Sequence, residues 1–393
     1  MALSKIDVAN MLTGATPVAN GGTAATTLAA AGLGKRPNAK PLIVNGSMDV
    51  SQRATSVTGK TSTDIYTVDR MSAVIASIGT YTIAQEAQTS GNAFANGFAN
   101  AWRIDCTTAD ASPAASDQLQ MQYAFEGQDL QLFKKGTSNA EKFTLAFWVK
   151  SNKTGTGNIQ LKDKDNSNRQ CTQSYTISSA NTWEHKVCVF GADTTGAFDD
   201  DNAKSLVINW WLGSGTDSSS GTANHGTWEA QDDTKVNDGG TLNINDNTAN
   251  DWSITGIQLE VGEFTSSTLP PFQHESYGEN LLRCQRYFQH IVSGNHKLIS
   301  YAHWASSSQI TFILNILEMR AVPTIDYDNG NDYWAIGGSS GSTNTIDSLI
   351  IDGYSTNKCV GLYSGTAAGG TTGYAYYGFS DNASARLALV SEL

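Results

Sequence analysis

Along Asp117–Phe125 (DQLQMQYAF), apolar and amide side chains alternate: Leu119, Met121, Tyr123 and Phe125 fall on one side, Gln120 and Gln122 on the other. A period of two is the geometry of a β-strand with one buried face, and a helix cannot reproduce it. The same signature, or a more continuous apolar version, returns at Tyr81–Glu86, Ala101–Cys106, Phe143–Lys150, Gly157–Leu161, Gln170–Ile177, Thr182–Phe190, Leu206–Leu212 and Thr241–Ile244. Trp102 and Ile104 share a face of their run, and FTLAFWVK at 143–150 is apolar enough to lie mid-sheet. Turn-rich spacers separate these runs, with no helical periodicity between them. This spacing predicts a sandwich of antiparallel sheets, a jelly roll, over residues 41–275. Charged residues make up only 16% of the chain and glycine numbers 37, a composition that suits many tight turns.

One stretch departs from this rhythm. Asp251–Gln289 holds a strand, a loop and a helix in that order. Trp252, Ile254, Ile257, Leu259 and Val261 make the strand, with a slip of alternation near Gly256 that reads as a bulge. Pro270 and Pro271 stop regular structure. Ser276 and Glu279 then stand at the spacing of a capping box. Leu281, Cys284, Phe288 and Ile291 follow at helical intervals, which predicts a linking helix over 276–291. A second β-region spans 292–393, with strands expected at Gln309–Leu317, Thr324–Tyr327, Ile346–Ile351, Lys358–Tyr363, Tyr374–Phe379 and Ala385–Ser391.

The remaining features exclude several classes of function. The net charge is −12 and no Lys/Arg cluster stands out, which argues against nucleic acid and anionic lipid as partners. No apolar run reaches membrane-spanning length, so no membrane insertion is expected. The start, MALSKIDVAN, lacks the basic and long apolar parts of a signal peptide, so the chain is expected to be made in a cytoplasm. Cys106, Cys171, Cys188, Cys284 and Cys359 are widely spaced and form no Cys-x-x-Cys pair, and they read as buried free thiols. Residues 1–40 are a different material. Leu3, Ile6, Val8, Met11 and Leu12 are the sizeable apolar side chains ahead of a run of Gly, Ala and Thr, too few for one chain to bury a core there.

Several segments resemble one family. ITGIQLEVGEF followed by PFQHESYGENLLRCQRYF resembles the segment that closes the carbohydrate-binding-module-like domain of bacteriophage tail fibre proteins. Ile254, Thr255, Gly256, Gln258, Leu259, Glu260, Gly262, Pro271, Phe272, Tyr277, Gly278, Glu279, Leu282, Cys284, Gln285, Arg286 and Tyr287 carry the likeness. PLIVNGSMDVSQR resembles the family's opening strand, Asp69-Arg70 its Asp-Arg pair, and FTLAFWVKSNKTGTGNIQL with NTWEHKVCVF its central strands. LSKIDVANMLTGATPVANGGT with TTLAAAGL resembles segments at fibre starts and domain junctions, and EMRAVPTI the start of a small terminal sandwich. Three departures stand out: Ser-Ser-Thr-Leu inserted before Pro270, Ala24 where glycine is usual, and Met71 where tryptophan is common.

The resemblance implies an all-β architecture: an extended N-terminal anchor segment (1–40), a large jelly roll (41–275), a short linking helix (276–291) and a smaller C-terminal β-sandwich (292–393). It implies a homotrimer on the virion, working as a tail appendage. The N-terminal segment, with Leu3, Ile6 and Val8, would attach to other tail or baseplate proteins. Leu281, Cys284 and Phe288 would form an apolar seam on the threefold axis, and the C-terminal loops would meet host surface polysaccharide or another glycan.

Sugar recognition needs aromatic rings for pyranose faces and Asn, Asp or Gln for hydroxyls. Two clusters have that mixture. One is Trp210, Trp211, Trp228 and Trp252 with Asn209, Asn224 and His225. Trp252 and one of the adjacent Trp210 and Trp211 must face inward, because neighbours on a strand point to opposite sides. The other cluster, at the expected tip, is Trp304, Asp332, Tyr333, Trp334 and Tyr354. Both also fit ordinary core packing. Asp163, Asp165 and Ser167 alternate oxygen atoms but lack the glycine and closing glutamate of a calcium loop, so neither metal nor cofactor is expected. Six scattered histidines and no nucleophile, zinc or phosphate motif point away from an enzyme. The alternatives are a structural or decoration fibre without receptor binding and a polysaccharide depolymerase.

Overall fold

The alternating runs pair into sheets whose apolar sides meet. A computed structural model describes residues 40–328, 330–337, 343–364 and 370–393; Leu3, Ile6 and Val8 lie outside them. In the first sandwich a six-stranded sheet is ordered β1 (Ser56–Lys60), β3 (Thr80–Ala87), β4 (Asn100–Thr108), β11 (Asp251–Val261), β6 (Phe143–Ser151), β9 (Glu184–Phe190). It faces a five-stranded sheet ordered β2 (Ser72–Ala76), β5 (Gln118–Glu126), β10 (Lys204–Ser214), β7 (Gly155–Asp163), β8 (Gln170–Ile177). Every pairing in these two sheets is antiparallel. Strands distant in sequence, β11 between β4 and β6 and β10 between β5 and β7, give the crossed connections of a jelly roll. The inward set of β5 (Leu119, Met121, Tyr123, Phe125) joins Trp102, Ile104, Phe143, Phe147, Trp210 and Trp252 in one core. Aromatic rings lock the two sheets together, with Phe147 perpendicular to Trp210 at 6.0 Å between centroids.

The slip at Gly256 is a true bulge. The register against β6 shifts between Thr255 and Gln258, and Gly256 sits at φ +60° with the Phe98 ring where a Cβ would be, 2.7 Å away. Glycine alone meets both demands. The extra residue lets Ile254 and Ile257 both reach the core, and frees the Ile257 amide to donate to Gly46 O at 3.0 Å.

Two expected strands are not strands. At 41–52 the chain turns repeatedly, with Asn45 and Met48 in the left-handed region. The Asn45 side chain replaces ladder bonds there: it donates to Val50 O and Asp69 O and accepts from Val50 N. Thr241–Ile244 also stays outside the sheets, although Leu242 and Ile244 are buried and plug one end of the core. A single-turn helix, α1, spans Gly91–Ala95, and the expected linking helix, α2, runs over Tyr277–Gln285, shorter than 276–291. Ser276 caps it, its Oγ accepting from Glu279 N at 3.3 Å. It stops because Phe288–Ser293 pairs in a sheet, which overrides the helical spacing of Phe288 and Ile291.

That strand, β12, opens the second sandwich. A three-stranded sheet ordered β12 (Phe288–Ser293), β21 (Arg386–Val390), β15 (Thr324–Asp328) belongs to it. So does a seven-stranded sheet ordered β17 (Thr343–Ile346), β16 (Trp334–Gly337), β20 (Ala375–Ser380), β13 (Leu298–Trp304), β14 (Ile310–Asn315), β19 (Cys359–Ser364), β18 (Ile350–Ile351). The expected strand Ile346–Ile351 is thus divided between two strands at opposite edges of the larger sheet. Trp304, Phe312, Trp334, Leu362, Leu387 and Leu389 belong to its core.

Charged groups tie the two sandwiches together. Arg286 and Tyr287, just after α2, both bind Glu126 of the first sandwich, with the Arg286 Nε–Oε1 distance 2.7 Å and the Tyr287 hydroxyl at 2.6 Å. Arg70 reaches Glu392, beyond the last strand, at 2.5 Å. Arg53 joins Asp69 and Glu392 at 3.5 and 3.0 Å. Burial pushes the Asp69 carboxyl up to about 6 despite Arg53 and Gln52. Burial also pushes Glu126 up, but the bonds from Arg286 and Tyr287 outweigh it and hold the group below its ordinary value. These two shifts have opposite signs. Asp69, raised in the fold, favours the folded state as pH falls from about 6 towards its unfolded value. Glu126, depressed in the fold, loses its contribution as pH falls below the ordinary glutamate range. Their combined contribution is therefore expected to peak at about pH 4, between the ordinary aspartate and glutamate values. Urea unfolding from pH 3 to 8 measures this, and Glu126→Gln should flatten the acid side alone.

The proposed trimer seam needs correction. Cys284 is fully buried against Val44 and Val50 of its own chain, with Leu281 half-buried beside them. Phe288 is also fully buried, under the Arg53 guanidinium at 3.7 Å from the ring centroid. Cys284 packs α2 onto the first sandwich and Phe288 meets Arg53 across the junction, so both are covered within one chain and present no surface to a second. Cys106, Cys171 and Cys188 are buried free thiols as well, whereas Cys359 is half-exposed.

Candidate functional site

Alternation gives the five-stranded sheet a second, outward face. On β10, Ile208, Trp210 and Leu212 enter the core, so Val207, Asn209 and Trp211 point away from it. Register places Trp211 beside Gln120 of β5 and Asn158 of β7, and Asn209 between Gln122 and Gln160. Val74 of β2 stands opposite Gln120. Val74, Gln120, Gln122, Gln160, Val207, Asn209 and Trp211, together with Gln118, Lys162, Lys164, Lys204, Ser218 and Asp233, line a cleft of about 240 Å³.

The floor of this cleft is a chain of amides. Gln122 Nε2 donates to Asn209 Oδ1 at 2.8 Å, Asn209 Nδ2 to Gln160 Oε1 at 2.9 Å, and Gln160 Nε2 to Gln170 Oε1 at 3.0 Å. Gln170 Nε2 ends the series on Asp232 O at 2.9 Å. The series crosses β5, β10, β7 and β8, and each link fixes the next amide. Every primary amide has two donors and a carbonyl oxygen with two lone pairs, so the series leaves capacity for further partners. Asn209, Gln160 and Gln170 are buried, so their rotamers cost little further entropy when a ligand is held. Trp211 is 4% exposed and its indole Nε1–H has no partner among the described residues. Trp102, Trp210, Trp252 and Trp334 share that condition inside the cores; among the five, only Trp211 lines this cleft. Such a site holds a ligand rich in hydroxyl groups, which donate and accept in turn.

The residues singled out by sequence fall in different places. Trp210 and Trp252 are core residues, and Trp211 with Asn209 belongs to the cleft. Trp228 is 8% exposed and its indole donates to Gly191 O at 2.8 Å, so it belongs to the sandwich. Trp304 and Trp334, at 1% and 0% exposure, are core residues of the second sandwich and have no face left for a sugar. Their strands, β13 and β16, point these rings at the smaller sheet's apolar side chains. Asp332 sits exposed in a left-handed turn, its amide held by Asp347 Oδ1, with half-buried Tyr333 beside it. Tyr354 is 95% exposed but follows β18, five strands from β16 in the sheet order, about 24 Å at the usual strand spacing. The tip cluster is therefore not one site. Asp163 is already engaged by Lys135 at 2.5 Å and by the amides of Asp165 and Asn166. Among the described residues no group of three or more metal-ligating side chains occurs.

Sequence reasoning missed Gln118, Gln120, Gln122, Gln160 and the three lysines as site residues. A signal existed: the polar partners of the alternation at 118–122 are all glutamine. A second hollow, of about 390 Å³, lies at the opposite sheet among Phe98, Trp148, His185, Phe272 and His274, and the Ser266–Leu269 insertion helps to wall it. A larger one, of about 760 Å³, opens between Lys40, the loop at 128–134 and α2. The cleft differs from both in being floored by hydrogen-bonded side chains on three paired strands, Gln122 of β5, Asn209 of β10 and Gln160 of β7.

No family model matches the chain, and no curated protein matches it. Solved structures do. The enzymatically active domain of tailspike protein 4 from bacteriophage CBA120 is 13% identical with a TM-score of 0.28, over 56% of this chain and 21% of that one. The C-terminal family 22 carbohydrate-binding module of a Clostridium thermocellum protein is 9% identical with a TM-score of 0.27, over 58% and 98%. An apo cyclase from Fischerella is 11% identical with a TM-score of 0.31, over 57% and 97%. Scores this low assign neither a family nor a ligand.

Proposed function

We propose that this chain binds carbohydrate through the cleft on its five-stranded sheet, and does so as a tail-fibre-type appendage of a bacteriophage virion. The observation that carries the binding is the amide series from Gln122 to Gln170, a rigid array of donors and acceptors on paired strands. The sequence resemblance at 254–288 supports the appendage reading. In that reading the chain is a homotrimer, residues 1–40 attach to the particle, and the cleft holds host surface glycan. Weak contacts are then multiplied by linked copies. Asp233 is the one carboxylate lining the cleft, whereas glycoside hydrolysis uses two, which favours holding over cutting.

The test is to incubate the purified protein with a panel of bacterial cells and their isolated surface polysaccharides, scoring retained protein and polymer length. Selective retention with intact polymer is the expected result, weakened by Gln122→Ala. No retention by the intact assembly supports a structural or decoration fibre instead, and shortened polymer supports a depolymerase.

A further inference from the structure

The floor of the cleft is neutral, but its rim is not. Lys162, Lys164 and Lys204 line it against the single acidic residue Asp233. This local excess runs against the chain, which carries 37 acidic and 25 basic residues. Lys162 is partly answered, with Nζ 3.6 Å from Asp233 Oδ1. Lys164 Nζ donates a hydrogen bond to a neutral acceptor, Asn168 Oδ1, at 2.6 Å. Among the described residues no carboxylate lies within 4.0 Å of the ammonium group of Lys164 or Lys204. Lys204 begins β10, and its register partner on β5 is Glu126, whose carboxylate is taken by Arg286 and Tyr287. Two ammonium groups thus stand at one end of the amide floor with no carboxylate in contact, Asp233 acting on Lys164 and Glu392 on Lys204 only from farther off.

We infer that the cleft takes an acidic glycan, with Lys164 and Lys204 receiving the carboxylate of a uronic-type sugar while the amide series holds its hydroxyls. This rests on the carbohydrate reading of the cleft and adds its charge. Burial first, and then the like charges of Lys164, Arg70 and Arg320, lower the affinity of Lys204 for its proton against the opposing pull of Glu392, and a bound carboxylate would relieve that repulsion. Burial and Lys162 act in the same direction on Lys164. The hollow at Trp148 and His185 is lined by no charged side chain and makes an internal comparison.

Retention is measured on immobilised polygalacturonate, alginate and polysialate, each beside its carboxyl-reduced product, and on neutral xylan. The full chain is used as it assembles, with Lys164→Gln/Lys204→Gln and Trp148→Ala variants. At least one acidic polymer should be retained and its reduced form released. The double lysine variant should lose about ten-fold or more in affinity for it, as for loss of charge-assisted bonds. Trp148→Ala should bind as the parent does. Equal retention of a polymer and its reduced product overturns the acidic preference and leaves the carbohydrate role standing, as does full retention by the folded lysine variant. Retention of none of these polymers overturns both readings.

Discussion

Trp334→Ala is expected to destabilise the second sandwich by about 3–5 kcal/mol while leaving glycan affinity per folded molecule unchanged. Trp334 has no exposure, and its strand pairs on both sides, with Ile346 and Ser380 opposite it. Removing the indole opens a cavity that paired strands cannot close. Its exposed neighbours give no reason for a binding effect. Trp211→Phe is the counterpart. It keeps a ring over the sheet and removes the indole N–H, so stability should move by about 1 kcal/mol, the scale of a small volume change in a packed site. Affinity for a retained glycan should fall about ten-fold, as for one lost hydrogen bond in a dry site. Urea unfolding and glycan titration on both variants separate the two roles. A binding loss in Trp334→Ala at equal folded fraction would return the site to the second sandwich.

Arg70→Ala is expected to cost about 3 kcal/mol or more and to divide unfolding into two steps. Arg70 lies in the first sandwich, 3% exposed and at φ +73°. Its guanidinium donates to Ala124 O at 2.6 Å and Glu392 at 2.5 Å, and covers the Tyr287 ring at 3.5 Å. One side chain therefore touches the first sandwich, the segment after α2 and the end of the second. Burial alone would weaken its charge, but Glu392 and the tyrosines hold it protonated. Truncation leaves a buried carbonyl unpaired and Glu392 with Arg53 as its remaining cation. Arg53 is more exposed, at 12%, so Arg53→Ala should cost less. Calorimetry of both variants reads this, and a single unchanged transition in Arg70→Ala would show that the junction does not couple the sandwiches.

How much was legible depends on how far each signal reached along the chain. The alternation at 117–125 is local, and it reported both the inward Leu119–Phe125 set and the outward glutamines. The capping pair Ser276 and Glu279 is local too, and α2 begins where it says. The end of α2 was not legible, because Phe288 obeys helical spacing and strand pairing equally, and its partner Val390 is about a hundred residues away in sequence. The segment at 41–52 has the composition of a strand, but its bonds go to Tyr123, Asp69 and Asn280, which no local pattern names.

The candidate site divides along the same line. From the sequence by itself come the all-β class, the short helix, the bulge at Gly256 and the rule that Trp210 and Trp211 face opposite ways. Which of the two faces the cleft depends on which sheet β10 joins, and that choice is made by β5 and β7 from other parts of the chain. The same pairings bring Gln122, Asn209, Gln160 and Gln170 into one hydrogen-bonded series. Tertiary structure also moved Trp304 and Trp334 from an expected surface to a core. A large aromatic ring is equally suited to either, and burial is set by the sheet that packs over it rather than by its neighbours in sequence.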